Sequence, residues 1–386
     1  MFTLLLRWLT AWGMWAVLRQ IWPQRQQAVT WMTLLFLVYP SFLLGAFSVA
    51  FSQHFITYAL FFLSLLLMIS AINNPRRALP LTIFGMFTAL LHMATMEYMA
   101  GLEFVRPLIV WLLLGGVSLS RQERIKRMLK IWMPYLMVWL FFAVWRLVIL
   151  EIPDDPNAPK LIYALQESPI TALLGLVETI LRHILYVLVT TWNRALDPYL
   201  IDLKSRFGMF TWGVMLFVLP SLYYIFSRER AITEKNNWEW QKNALILGLY
   251  SIIVGLLPVW FTGREIYTGR YSDRFSLPAL FGASILLITI IYYFVSVNSR
   301  KVFIMSLLVT FAIGVQMRAI NHYRWDWVYQ QRFYWQLQWR APGLKPQTGL
   351  VLEGLYSDYV ASYAIAAAVN TLYPQINTED QFLDYW

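Results

Sequence analysis

The sequence predicts an all-α polytopic transmembrane helix bundle of about 10–11 spans, with a small extracytoplasmic α/β segment at the C-terminus. Three observations predict it. Of 386 residues, 59% are hydrophobic and only 13% charged, about half the charged share of a soluble domain. Eleven apolar stretches approach the ~20 residues that a crossing helix needs. Lys and Arg gather in alternate loops, as orientation in a membrane requires.

The apolar stretches cover 3–18, 28–50, 54–72, 78–96, 104–119, 131–150, 169–191, 207–226, 243–261, 277–297 and 302–320. Trp22, Tyr58, Trp132, Trp192, Trp238 and Trp260 stand at their ends, where amphipathic rings anchor in the headgroup layer. Pro40 falls inside a stretch and is tolerable where neighbouring helices satisfy the freed carbonyl.

Arg19 and Arg25, then Arg76 and Arg77, then Arg121, Arg124, Lys126, Arg127 and Lys130 occupy alternate loops and read as cytoplasmic. The intervening "FSQ" and "EYMAGLE" contain no Lys or Arg, and "EIPDDPNAPK" is acidic. If every later stretch crossed, Arg228, Arg230, Lys235 and Lys242 would fall outside, as would Arg300 and Lys301. Removing one crossing restores the alternation. The residues around 161–191 are the segment to remove: Glu167, Thr171, Gly175, Glu178 and Arg182 draw a polar stripe at helical spacing, and Glu178 can pair with Arg182. That pattern reads as an amphipathic interfacial or re-entrant segment; a true span with its stripe facing a hydrated interior is the other reading. The bundle then occupies 1–320, with the N-terminus and residues 321–386 outside. In this tail "TGLVLEG" reads as a strand and "VASYAIAAAVNTLY" as a helix, the start of an α/β unit that ends incomplete.

Composition also excludes chemistry. With no Cys there is no disulfide, thiolate metal site or Cys nucleophile. The four His (His54, His92, His183, His322) show no metal-ligand spacing. The sequence calls for no cofactor, though a divalent metal stays open. A net charge of +10 follows from orienting loops, so no nucleic-acid partner is expected; membrane lipids are, and a protein partner is not specified.

The outer face collects the candidate site residues. Arg264, Arg270 and Arg274, with Asp273, form an arginine-rich loop suited to a lipid phosphate, because guanidinium forks bind phosphate oxygens two at a time. Their alternative is neutralisation by Asp273 and Glu265 within a surface loop. Glu97 and Glu103 stand at the outer ends of successive spans and are the carboxylates for acid–base work; their alternative is a pair of loop charges, with Glu103 bridged to Arg106. Asp154 and Asp155, flanked by Pro153 and Pro156, read as a turn. His92, near Thr88 and Thr95, reads as an interhelical hydrogen bond.

"EYMAGLEFVRP", "GRYSDRFSLPALFGAS" and "QLQWRAPGLKPQTGLVL", with the external amphipathic segment, resemble the GT-C superfamily of membrane glycosyltransferases. The resemblance implies a bacterial cytoplasmic-membrane protein acting at the outer face on a lipid-linked sugar substrate, a polyprenyl-phosphate donor. It implies that Glu97 or Glu103 takes the acceptor proton, while Arg264, Arg270, Arg274, Asp273 and Arg106 meet the phosphate. The family's first span and first external loop, which carries its catalytic acid, have no counterpart here, as in a truncated or inactive member. The alternatives are a transporter or flippase for an amphiphile, with Arg7, Arg146, Glu178 and Arg182 as its intramembrane charges, and a structural subunit without a site.

Overall fold

A computed structural model of the chain describes residues 2–46, 51–150, 152, 155, 158–196, 203–228, 238–268, 271–344, 348–351 and 362–373. Among them, nine helices are long and apolar enough to cross a membrane, so the protein is an integral membrane helix bundle. The chain runs through α1 (Phe2–Ile21), α2 (Gln26–Val38), α3 (Ser52–Asn73), α4 (Ala78–Thr95), α5 (Arg106–Leu113), α6 (Arg121–Val144), α7 (Lys160–Glu167), α8 (Pro169–Leu188), α9 (Arg206–Ser227), α10 (Trp238–Phe261), α11 (Leu277–Phe294), α12 (Asn298–Arg340) and α13 (Ser362–Leu372).

Two expected spans come out differently. Residues 28–50 do not form one helix, because a proline disfavours helical backbone in the residue before it. α2 ends at Val38, and Tyr39, ahead of Pro40, is extended at φ −50°, ψ 130°. Its 13 residues rise only about 20 Å, against the ~30 Å of a hydrocarbon core. α1 has the length, but Arg7 and three tryptophans leave it outside the nine.

α11 is the central helix, buried on every side from Leu277 to Leu286, as a helix apolar all round should be. It meets α10 at backbone contact. A Cβ on Gly282 would strike the Gly248 carbonyl, and one on Gly255 would lie 2.5 Å from the Pro278 carbonyl. On another side of α10 the 3₁₀ run Glu97–Val105 comes equally close, since a Cβ on Gly101 would collide with the Val254 carbonyl. Small residues let membrane helices approach this closely. Here they fix the 97–105 run against α10.

The bundle has two chemically distinct ends. At the basic end Arg25 lies over the Trp240 ring at 5.3 Å and Lys301 over Tyr292 at 4.9 Å, and Gln27 Nε2 donates to the Phe226 carbonyl at 2.9 Å. At the other, the site end, Gln316 donates to the carbonyls of Tyr39 (3.1 Å) and Phe42 (3.0 Å). α6 opens with a capping box on Ser120 and Glu123 and leads to the site end, where Arg146 bonds Glu97. α9 starts there again: its Met215 packs with Ala195 and Val315, and its Phe226 reaches Trp31 at 4.3 Å near the basic end. Between these two points lie α7, α8 and the 3₁₀ turn Thr190–Leu196. α8 buries His183, Tyr186 and Val187 and exposes Ile170, Leu173, Leu174, Val177, Leu181 and Leu185.

The tail differs from expectation. α12 runs unbroken for 43 residues, about 64 Å, so residues 321–340 prolong the last span. α13 packs Ile365 and Val369 against Tyr334 and Leu337 of that extension. No strand occurs among the described residues, and 348–351, the described part of the expected strand, are irregular. A lone strand there would leave its backbone donors and acceptors unpaired. The α/β character is therefore not supported.

Candidate functional site

At the site end an open cavity of about 510 Å³ lies between α6, α8, α10 and the 97–105 run. Its body is apolar, with Ala100, Phe104, Trp139, Phe142, Ile180 and Leu257 facing it. Charge is confined to Glu97, Arg146 and Arg264. Arg146 lies on the short π-helical turn Trp145–Ile149 that ends α6. Its Nε bonds Glu97 Oε2, and its Nη2 donates to Asp155 Oδ2 at 2.6 Å. Arg264 follows the left-handed turn at Gly263 (φ 62°) after α10, and Glu97 and Asp155 lie within its electrostatic reach. Burial holds its guanidinium below the ordinary value, and the charge of Arg274 lowers it further; arginine remains a cation at neutral pH even so. Arg264 and Arg274 both approach the Phe275 ring, at 5.4 and 4.9 Å.

The expected site residues separate into three groups. Glu97 and Arg264 come together at the groove. Asp273 and Arg274 belong to the 3₁₀ turn Ser272–Ser276; Phe275 between them and α11 lines the groove, and they do not. Glu103 and Arg106 point the other way, into the bundle, 2% and 0% exposed. Arg106 donates to both Glu103 oxygens at 2.5 and 2.7 Å and to Ser64 Oγ at 2.9 Å, and stacks 4.3 Å from the Tyr135 ring. The pair, three residues apart across the junction with α5, is buried in the bundle while Glu97 stays at the groove. Arg270 and Asp154 lie outside the described residues.

Other partners also differ from those expected. Arg182 donates to Glu265 Oε1 at 3.0 Å, so Glu265 serves α8 rather than the arginine loop. Trp260 Nε1–H donates to His183 Nδ1 at 3.1 Å. The other ring nitrogen, Nε2, lies 3.1 Å from Glu265 Oε2 and 3.2 Å from the Ile266 amide nitrogen. His92 Nδ1 lies 3.2 Å from the Thr57 carbonyl, an interhelical contact. Among the described residues no three His, Asp or Glu side chains gather to hold a metal ion.

Sequence reasoning did not name His183, Arg194 or Phe275 as site residues. "WNRALD" and "SDRFS" contain the signal only as isolated charges beside aromatics, with nothing local to say that two loops some 80 residues apart would meet.

No family model, curated protein or solved structure matches the chain. The functional reading therefore rests on the groove and its rim.

Proposed function

We propose that the protein is a GT-C-like membrane glycosyltransferase whose polyprenyl-phosphate-linked sugar donor sits in this groove. The observation that carries the reading is the cavity's division into an apolar body and a rim of Arg264, Arg146 and Glu97. An isoprenoid chain bearing one anionic head has that same division. The α6 wall is mostly exposed on its outer side, so the chain enters laterally from lipid. Arg264 meets the phosphate, and guanidinium suits this because it desolvates readily and binds in two-point fashion.

In the transfer, the Glu97 carboxylate takes the proton of an acceptor hydroxyl. The acceptor oxygen bonds the anomeric carbon while the bond from that carbon to the phosphate oxygen breaks. The phosphate leaves with the electron pair, and Arg264 stabilises the charge that develops there. Arg146 positions Glu97 through the ion pair already in place. The same reading puts the site end on the extracytoplasmic side of a bacterial cytoplasmic membrane and lays α7 and α8 in the outer interface, with the exposed leucines of α8 in the acyl boundary. It leaves Glu103 and Arg106 as a structural pair.

The test uses the purified chain in lipid nanodiscs with a radiolabelled polyprenyl-phosphate sugar and a photo-crosslinking prenyl phosphate. The reading expects sugar transfer and crosslinks to the Phe142 and Leu257 walls. Arg264→Gln lowers crosslinking about tenfold, the loss expected for a charge-assisted contact. Glu97→Gln keeps crosslinking but abolishes transfer. Lipid movement between leaflets without transfer would make the protein a flippase instead, and absence of both crosslinking and transfer would remove the groove reading.

A further inference from the structure

A second polar cluster lies beside Phe275, apart from the groove. The Asp273 side chain is 3% exposed, and its Oδ2 accepts the Leu43 N–H at 3.1 Å. Its Oδ1 has no hydrogen-bond partner among the described residues, and neither do three other buried atoms, Arg194 Nη1, Arg274 Nε and His54 Nε2. These four belong to one neighbourhood. Asp273 and Arg274 are consecutive on the Ser272–Ser276 turn, and the His54 ring lies 6.1 Å from that of Tyr98, which packs on Phe275. Leu43, whose amide holds Asp273, packs on the cluster that contains Ala195, next to Arg194. The walls are tied down: Ser276 Oγ donates to Ser41 Oγ at 2.9 Å, Tyr186 pairs with Thr268 at 3.1 Å, and Tyr98 packs on Phe275 at 5.3 Å.

Unpartnered buried atoms occur elsewhere in the bundle too, but here two arginine donors, a carboxylate acceptor and a histidine nitrogen share one neighbourhood, which suits a ligand. Their chemistry says which kind. Two guanidinium groups against one carboxylate leave the cluster positive, which favours an anion over water or a cation. The free positions include arginine donors and a carboxylate acceptor, so the ligand must accept hydrogen bonds and also offer one. A phosphate that retains a hydroxyl does both. We propose that Arg194 and Arg274 bind a phosphate or diphosphate group here, with Asp273 Oδ1 accepting a hydrogen bond from that group's hydroxyl. Neither arginine lines the groove, so this site is tested separately from the donor reading.

The test is calorimetric titration of the full chain in detergent micelles with two probes, inorganic pyrophosphate and geranyl phosphate. Saturable binding of pyrophosphate assigns the site to a free phosphate compound; binding of geranyl phosphate alone assigns it to a lipid head group. Either result supports an anion site if Arg194→Gln and Arg274→Gln each weaken it about tenfold. Asp273→Asn gives its one oxygen to the Leu43 N–H, turns an amide N–H toward the anion in place of Oδ1 and removes the buried negative charge, so binding tightens. Arg264→Gln weakens pyrophosphate binding less than Arg194→Gln or Arg274→Gln does, because its charge reaches Arg274 only across the Phe275 ring, which separates this site from the groove. Thermal unfolding of each variant identifies any loss that comes from misfolding, and Arg194→Lys, which retains the charge, then replaces the failed variant. No saturable binding of either probe by the native chain, or full-strength binding by both arginine variants, overturns the proposal. So does a loss in Asp273→Asn as deep as in the arginine variants.

Discussion

Arg106 shows most clearly what one side chain does inside this bundle. Wholly buried, it spends its guanidinium on Glu103 and Ser64 and lies over Tyr135. Removing one member of a buried ion pair strands the other charge, at a loss of about 3–5 kcal/mol, whereas replacing both with apolar residues of similar volume is far milder. Arg106→Leu and Glu103→Met should each lower the unfolding temperature sharply in detergent, and the double variant should recover most of the loss. A double variant as unstable as the sum of the singles would contradict this account. The sequence showed the pairing, since residues three apart on a helical turn are neighbours. Which way the pair points was not legible, because "EYMAGLEFVRP" is apolar on both sides of its charges.

The close contact around α10 decides the groove's floor at the scale of elements. Gly101 and Gly282 leave no room for a Cβ, while Gly175 on α8 and Gly213 on α9 face open space. Gly101→Ala forces the 97–105 run off the Val254 carbonyl, so it should destabilise the protein and weaken groove crosslinking together. Gly175→Ala should stabilise by about 0.5–1 kcal/mol, the ordinary gain for alanine over glycine in an exposed helix. Equal effects at the two positions, measured by thermal unfolding, would contradict the contact. Spans were readable from apolar length because hydrocarbon imposes it. The break after α2 was misjudged although Pro40 was in view: whether a proline kinks a helix or ends it depends on neighbours that accept the freed carbonyl, and those are tertiary.

Sidedness belongs to the whole molecule, and the chain suits a direct measurement because it has no native cysteine. Single cysteines at exposed Glu167, Tyr267 and Arg127 should divide two against one when an impermeant thiol reagent is applied to intact cells. Glu167→Cys and Tyr267→Cys label from the outside, and Arg127→Cys labels only after permeabilisation. Glu167→Cys behaving like Arg127→Cys would place α7 at the basic end and contradict the packing of Lys160, the first residue of α7, against Gly263 just after α10. The polytopic class was plain from composition, and the basic end from loop charge. The boundary expected at residue 320 falls inside α12: hydropathy drops there, while the helix itself runs on to Arg340.

That continuity makes α12 a lever. Beyond Tyr323, still buried in the bundle core, about 25 Å of the rod continues, so a 10° tilt carries its end about 4 Å. The embedded half must swing with it, and Gln316 grips the backbone at Tyr39 and Phe42, one residue short of the amide that holds Asp273. Tilting that rod would therefore shift the Tyr39–Leu43 segment on which Asp273 is held.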